Sequence, residues 1–262
     1  MKLLVPAFAV MILAVASPTL AQQSGAPPIR DFDVETIERL GRDIYEQDRF
    51  AWVGTDALLA QIPQGRLAGT IGWIVVERDG VDIVRFARGS ASRPEPSFDV
   101  TFRGDAEPVV TAASGDFSED ELAMFRAVDL GRRAITQPCS DRYNSIILPD
   151  VDGDGWLVWM LAATTDANRV PVGGHYRFTI SADGRTIEQA DRLSRSCLVL
   201  PLQAQGGGQP EALMTTQLVD DLPVETFVFL SLSHQIPFYV APPDGRVWEV
   251  EGDRMQVVGS GD

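Results

Sequence analysis

Lysine is nearly absent from this chain: Lys2 is the only one, and every other basic charge belongs to arginine. Histidine and cysteine are equally scarce, at two each. Two histidines rule out a zinc centre built mostly from imidazoles. The chain also lacks a Gly-Lys phosphate loop, a paired-histidine zinc motif and a glycine-flanked nucleophilic serine. Acidic residues outnumber basic ones by 37 to 22, for a formal net charge of −15. That balance argues against general affinity for nucleic acid or anionic lipid, which need cationic neutralisation. It favours a solvated acidic surface and, among ligands, cations or metal ions.

Long apolar runs are confined to the beginning. Lys2 and the stretch Leu3 to Val15, broken only by Pro6, followed by small residues up to Ala21, read as an export signal over residues 1–21. A cut after Ala16 is the alternative. The expected location is therefore periplasmic or secreted, with residues 22–262 as one exported domain and no membrane span in it. In that compartment Cys139 and Cys197 are expected to form one disulfide, worth about 4 kcal/mol on a loop-closure account.

What is present alternates between two periods. Residues 34–61 carry Ile37, Leu40, Ile44 and Tyr45 at helical spacing behind the cap Asp33, with Gly41 as a weak point. One bent helix or two short ones are expected, with Asp48 or Thr55 as restart points. TIGWIVVERDGVDIVRFARG reads as a hairpin turning at Asp79-Gly80, SASRPEPS as a loop, and SFDVTFRG as a further strand. Ser118 and Glu121 form a capping box for a helix reaching Ala134 or Thr136. From Tyr143 onward strands dominate, with VETFVFLSL, PFYVA and RVWEVEG as a C-terminal meander and residues 203–211 as a flexible loop. The fold class is α+β, a mainly antiparallel sheet of hairpins packed against N-terminal helices and one central helix. The Asp-Gly turns recur at irregular intervals and define no solenoid or propeller.

The segment PDVDGDGW, residues 149–156, places Asp150, Asp152 and Asp154 at calcium-loop positions 1, 3 and 5 and Gly155 at position 6; Trp156 could add its carbonyl. Position 12, which should be a bidentate carboxylate, is Leu161, and the flanks look like strands. An acidic hairpin turn is the better reading, with calcium as the candidate cofactor of a looser oxygen site. His234 and Ser233, in LSHQIP between two apolar runs, are candidate ligand or catalytic contacts, although neighbours on a strand point apart. Trp156 is a candidate ligand contact; an odd interval puts Trp156 and Trp159 on opposite strand faces, one in the core and one exposed or beneath a loop. The functional expectation is a non-catalytic exported binding or interaction domain for a protein or small-molecule partner. The alternatives are a secreted hydrolase using Asp/Glu or a His234 site, and a calcium-stabilised structural protein. Oligomeric state is not fixed by the sequence.

Overall fold

The computed structural model describes residues 28–104, 106–203 and 207–260. The expected export signal therefore lies outside the described residues, as do positions 204–206 of the expected flexible loop. Helix α1, Val34–Gln61, is one continuous element rather than two. Asp33 caps it by accepting from the Thr36 amide at 2.8 Å. Thr55 does not restart it, because its hydroxyl donates to the Ala51 carbonyl of the preceding turn at 2.7 Å. Gly41 is there for a close approach. A Cβ at that position would sit 2.4 Å from Cβ of Val228, on the third helix of the fold.

The first sheet follows, in the order β1 (Thr70–Arg78), β2 (Val81–Ser90), β3 (Arg93–Phe102) and β4 (Val109–Ala112), antiparallel throughout. Asp79 and Gly80 both adopt positive φ, 54° and 73°, as a two-residue hairpin turn requires. The loop expected over SASRPEPS is instead mostly strand, since pairing continues out to Ser90 opposite Arg93. Pro94 and Pro96 are tolerated there because β4 pairs with β3 only from Phe98 onward. Helix α2, Glu119–Ala134, begins with the expected capping box, Ser118 and Glu121 each satisfying the other's amide.

The second sheet runs β5 (Tyr143–Pro149), β6 (Trp156–Ala162), then, past the short β7 (Arg169–Pro171), β8 (Tyr176–Ile180) and β9 (Ile187–Arg192). β7 pairs with β10 (Val199–Pro201) as a separate ribbon. Cys139 and Cys197 are joined across 58 residues, tying the segment after α2 to the start of that ribbon. Gly174, at φ 89°, fits against this bond: an added Cβ would lie 2.3 Å from Cβ of Cys139.

The main departure from the sequence reading is VETFVFLSL. It is helix α3, Glu225–His234, not a strand. Residues 225–231 are all buried, so the helix has no polar face and leaves no 3.6-residue signature. Its β-branched and aromatic run then imitates a strand. α3 is the crossover that lets β11 (Leu213–Thr216) pair in parallel with β12 (Phe238–Ala241). β13 (Arg246–Glu251) and β14 (Arg254–Ser260) complete this third sheet.

Helices and sheets alternate. The C-terminal half of α1 covers one face of the first sheet through Leu58, Val84 and Val100. α2 lies between the other face of that sheet and the second sheet, around Ile74, Phe125, Val158 and Phe178. The far face of the second sheet packs on the N-terminal half of α1 and on α3, which in turn carries the third sheet. Among the described residues no helix is long and apolar enough to cross a membrane.

Candidate functional site

Two buried arginines organise the interior, and both were hidden in apolar strand patterns. On β8, Arg177 donates to its cross-strand partner Asp191 (3.1 and 2.8 Å), to both oxygens of Glu225 at the start of α3 (3.1 and 3.0 Å), and to the Arg30 carbonyl. The Phe32 ring stacks on its guanidinium at 4.6 Å. On β2, Arg85 repeats the arrangement with its cross-strand partner Asp99 (3.0 Å), with Glu121 at the start of α2 (3.0 and 2.8 Å), and with the Phe117 ring at 4.9 Å. In both cases the Arg–Asp interval is 14 residues. Burial works against ionisation of Glu121. The Ser118 amide, Arg85 and Arg78 outweigh it and hold the carboxyl below its ordinary range. These clusters lock each sheet to the N-terminus of the next helix, where helix dipole and carboxylate agree. Their chemistry is structural: each carboxylate is already bonded to a buried arginine.

In the aspartate loop one arginine serves two of the three aspartates, Asp150 and Asp152. The Arg30 guanidinium reaches both oxygens of Asp150 (2.9 and 2.7 Å), Asp152 (2.9 Å) and the Thr179 hydroxyl (3.2 Å). Its cation thus occupies the position between carboxylates that calcium would take, and it holds Asp150 below the usual carboxylate range. The loop is a turn between β5 and β6, closed by the Asp150 amide donating to the Gly155 carbonyl at 2.9 Å. Among the described residues no three His, Cys, Asp or Glu side chains are grouped to hold a metal ion.

The histidines are separated. His175 is buried, its Nδ1 accepting from the Ala162 amide and its other ring nitrogen bonded to the Pro171 carbonyl, each at 3.0 Å. Burial pushes its pKa down to about 4. His234 ends α3 half-buried, and Ser233 donates to the Phe229 carbonyl one turn back at 2.8 Å. Ser233 and His234 therefore sit on successive helix positions, where side chains diverge by about 100°. Trp156 donates to the Ala182 carbonyl at 3.0 Å, while Trp159 is enclosed on the opposite face and donates to Glu225 at 2.6 Å.

The surface feature with unmatched chemistry lies along the outer side of α2. A cavity of about 110 Å³ opens between β1, β5 and the helix, walled by Trp73, Phe125, Val128, Arg132, Tyr143 and Ser145. Ala91 and Asp129 also border a neighbouring hollow of about 390 Å³, lined by Arg126, Arg133 and Arg185. Helical spacing explains the lining: 125, 128 and 132 face one hollow, 126, 130 and 133 the next. Arg133 pairs with Asp129 at 2.8 Å, and Arg126 uses only Nε, on the Asp183 carbonyl. Arg132 is exposed and makes no ion pair among the described residues. No protein-family model, curated protein or solved structure matches this chain. Among the described residues four arginines gather in this groove with two acids, Asp129 in the lining and Asp183, which pairs with Arg185 at 3.8 Å, in a chain whose net charge is −15.

None of these groove residues stood out in the sequence. The fold brings Arg126, Arg132 and Arg133 of α2 together with Arg185 and the aromatic wall. The buried clusters did leave a trace, Arg-Phe followed by aspartate at the same interval in Arg85-Phe86…Asp99 and Arg177-Phe178…Asp191.

Proposed function

We propose that this chain is an exported, non-catalytic binding domain whose ligand is anionic and is held in the groove beside α2. The reversal of charge sign in that groove carries the reading: four arginines gather there beside only Asp129 and Asp183 on a strongly acidic protein, and Arg132 makes no ion pair among the described residues. Arginine's planar fork suits carboxylate and phosphate oxygens. Trp73, Phe125 and Tyr143 supply the apolar wall that a binding cleft needs beside its few polar anchors. Export is supported by the signal-like first 21 residues and by the disulfide.

Calorimetric titration with citrate, tripolyphosphate and spermine tests the proposal. The two anions should bind and raise the melting temperature, more at low salt, and the R126A/R132A/R133A variant should lose the effect. Binding of spermine but of neither anion would defeat it.

A further inference from the structure

We infer that the ligand of this groove is the extended carboxy-terminal end of another polypeptide, paired as an added strand on β5 with its terminal carboxylate at the arginines. The inference rests on the anionic-ligand reading above and specifies its occupant. β1 and β5 are the first strands of their sheets, and among the described residues each has a partner on one side only. The cavity lies between these two open edges: Ile71 to Trp73 of β1 line it on one side and Tyr143 to Ser145 of β5 on the other.

The hydrogen-bond alternation of β5 shows which backbone groups are unspent. At one end the Ala163 amide donates to the Arg142 carbonyl, and at the other the Asp150 amide donates to the Gly155 carbonyl. The even-numbered positions between them, Asn144, Ile146 and Leu148, therefore bond to β6, opposite Leu161, Trp159 and Leu157. Tyr143 and Ser145 consequently turn their amides and carbonyls away from β6, toward the cavity. An extended peptide can satisfy all four groups, and alternate side chains would enter the pocket walled by Trp73 and Phe125. Pro149 ends the usable edge, because it has no amide to donate.

A strand alone does not explain the arginines. A chain terminus does, because only there does an extended peptide carry a fixed carboxylate on its backbone whatever its side chains. Arg132 is exposed beside Asn144 and Ser145 in the cavity lining, and Arg126, Arg133 and Arg185 lie in the adjoining hollow. A small polyanion would use the arginines and leave the β5 edge unused. A mid-chain acidic segment would use the edge, with no preference for a free terminus.

The test exposes the immobilised full chain to two pools of random hexapeptides, one with free carboxyl termini and one amidated, and identifies retained peptides by mass spectrometry. The free-acid pool should be retained at least tenfold more, with β-branched and aromatic residues enriched at alternating positions. Ser145→Pro should abolish retention, because it removes an edge amide that β6 does not use. The variant should keep the wild-type melting temperature within a few degrees, and the wild-type chain should bind tripolyphosphate. Equal retention of the two pools would overturn the inference, as would undiminished retention by Ser145→Pro. Either result, with anion binding intact, would leave the anionic groove standing and its peptide occupant refuted. Loss of anion binding by the wild-type chain would refute the groove itself.

Discussion

Replacing Arg177 by methionine removes the cation at the centre of the larger buried cluster and fills its place with a side chain of similar length. Asp191 and Glu225 then remain with 2% and 1% of their side-chain surface exposed. Asp191 keeps donors from the Arg30 amide at 3.2 Å and Gln189 at 2.8 Å, and Glu225 keeps Trp159 at 2.6 Å. Neither keeps a countercharge. Stranding buried charge in this way costs about 3–5 kcal/mol. At roughly 2–4 °C per kcal/mol for a chain of this size, the melting temperature should fall by about 6–20 °C. The triple variant R177M/D191N/E225Q removes all three charges but keeps oxygen acceptors for the Arg30 amide and Trp159. It should regain most of the loss, ending within about 2 kcal/mol of the wild type. Urea unfolding followed by circular dichroism and tryptophan fluorescence, with matched m-values, measures all three proteins. A triple variant no more stable than R177M would refute the reasoning, because lost packing rather than stranded charge would then explain the single variant. Arg85→Met is the internal control. It should cost less, because Arg78 still reaches Glu121 at 2.6 Å from a side chain that is 43% exposed.

His175 predicts an acid limb of stability. Its folded pKa of about 4 lies below the ordinary 6.5, so the unfolded chain takes up a proton first. That contribution is complete above pH 6.5 and falls away on acidification toward pH 4, by about 3 kcal/mol at full extent. Urea midpoints across this range should show the slope, and His175→Gln should flatten it. Gly41→Ala raises helix propensity by about 1 kcal/mol yet should destabilise the protein. The new Cβ would lie 2.4 Å from Cβ of Val228 and 2.7 Å from the Glu225 carbonyl, and only one of those neighbours is a side chain. A melting temperature equal to or above wild type would show that the α1–α3 contact yields easily. Arg30→Gln should lose about 2 kcal/mol through the Asp150 clamp. Millimolar calcium should leave wild-type melting unchanged, because Arg30 already supplies the cation; a rise of several degrees would mean that calcium displaces it.

The sequence alone determined the elements whose signals are local. The capping box set the start of α2 because Ser118 and Glu121 answer each other within one turn. Asp79-Gly80 set a hairpin because two successive positive φ values favour that pair. The scarcity of cysteine left Cys139 and Cys197 with only each other as intramolecular partners. The acidic turn at Asp150 was legible from Leu161 and its strand-like flanks, but its cation was not: Arg30 lies 120 residues away in sequence. Tertiary structure also decided α3, whose burial on every side removes the periodicity that announces a helix. It turned Gly41 from a helix weakness into a contact point, and it placed Arg85 and Arg177 inside. An arginine in a strand reads as an outward residue until carboxylates from a neighbouring strand and a later helix are brought around it. The groove along α2 exists for the same reason, since its aromatic wall, its open β5 edge and its arginines come from β1, β5, α2 and the turn between β8 and β9, and only packing makes them neighbours.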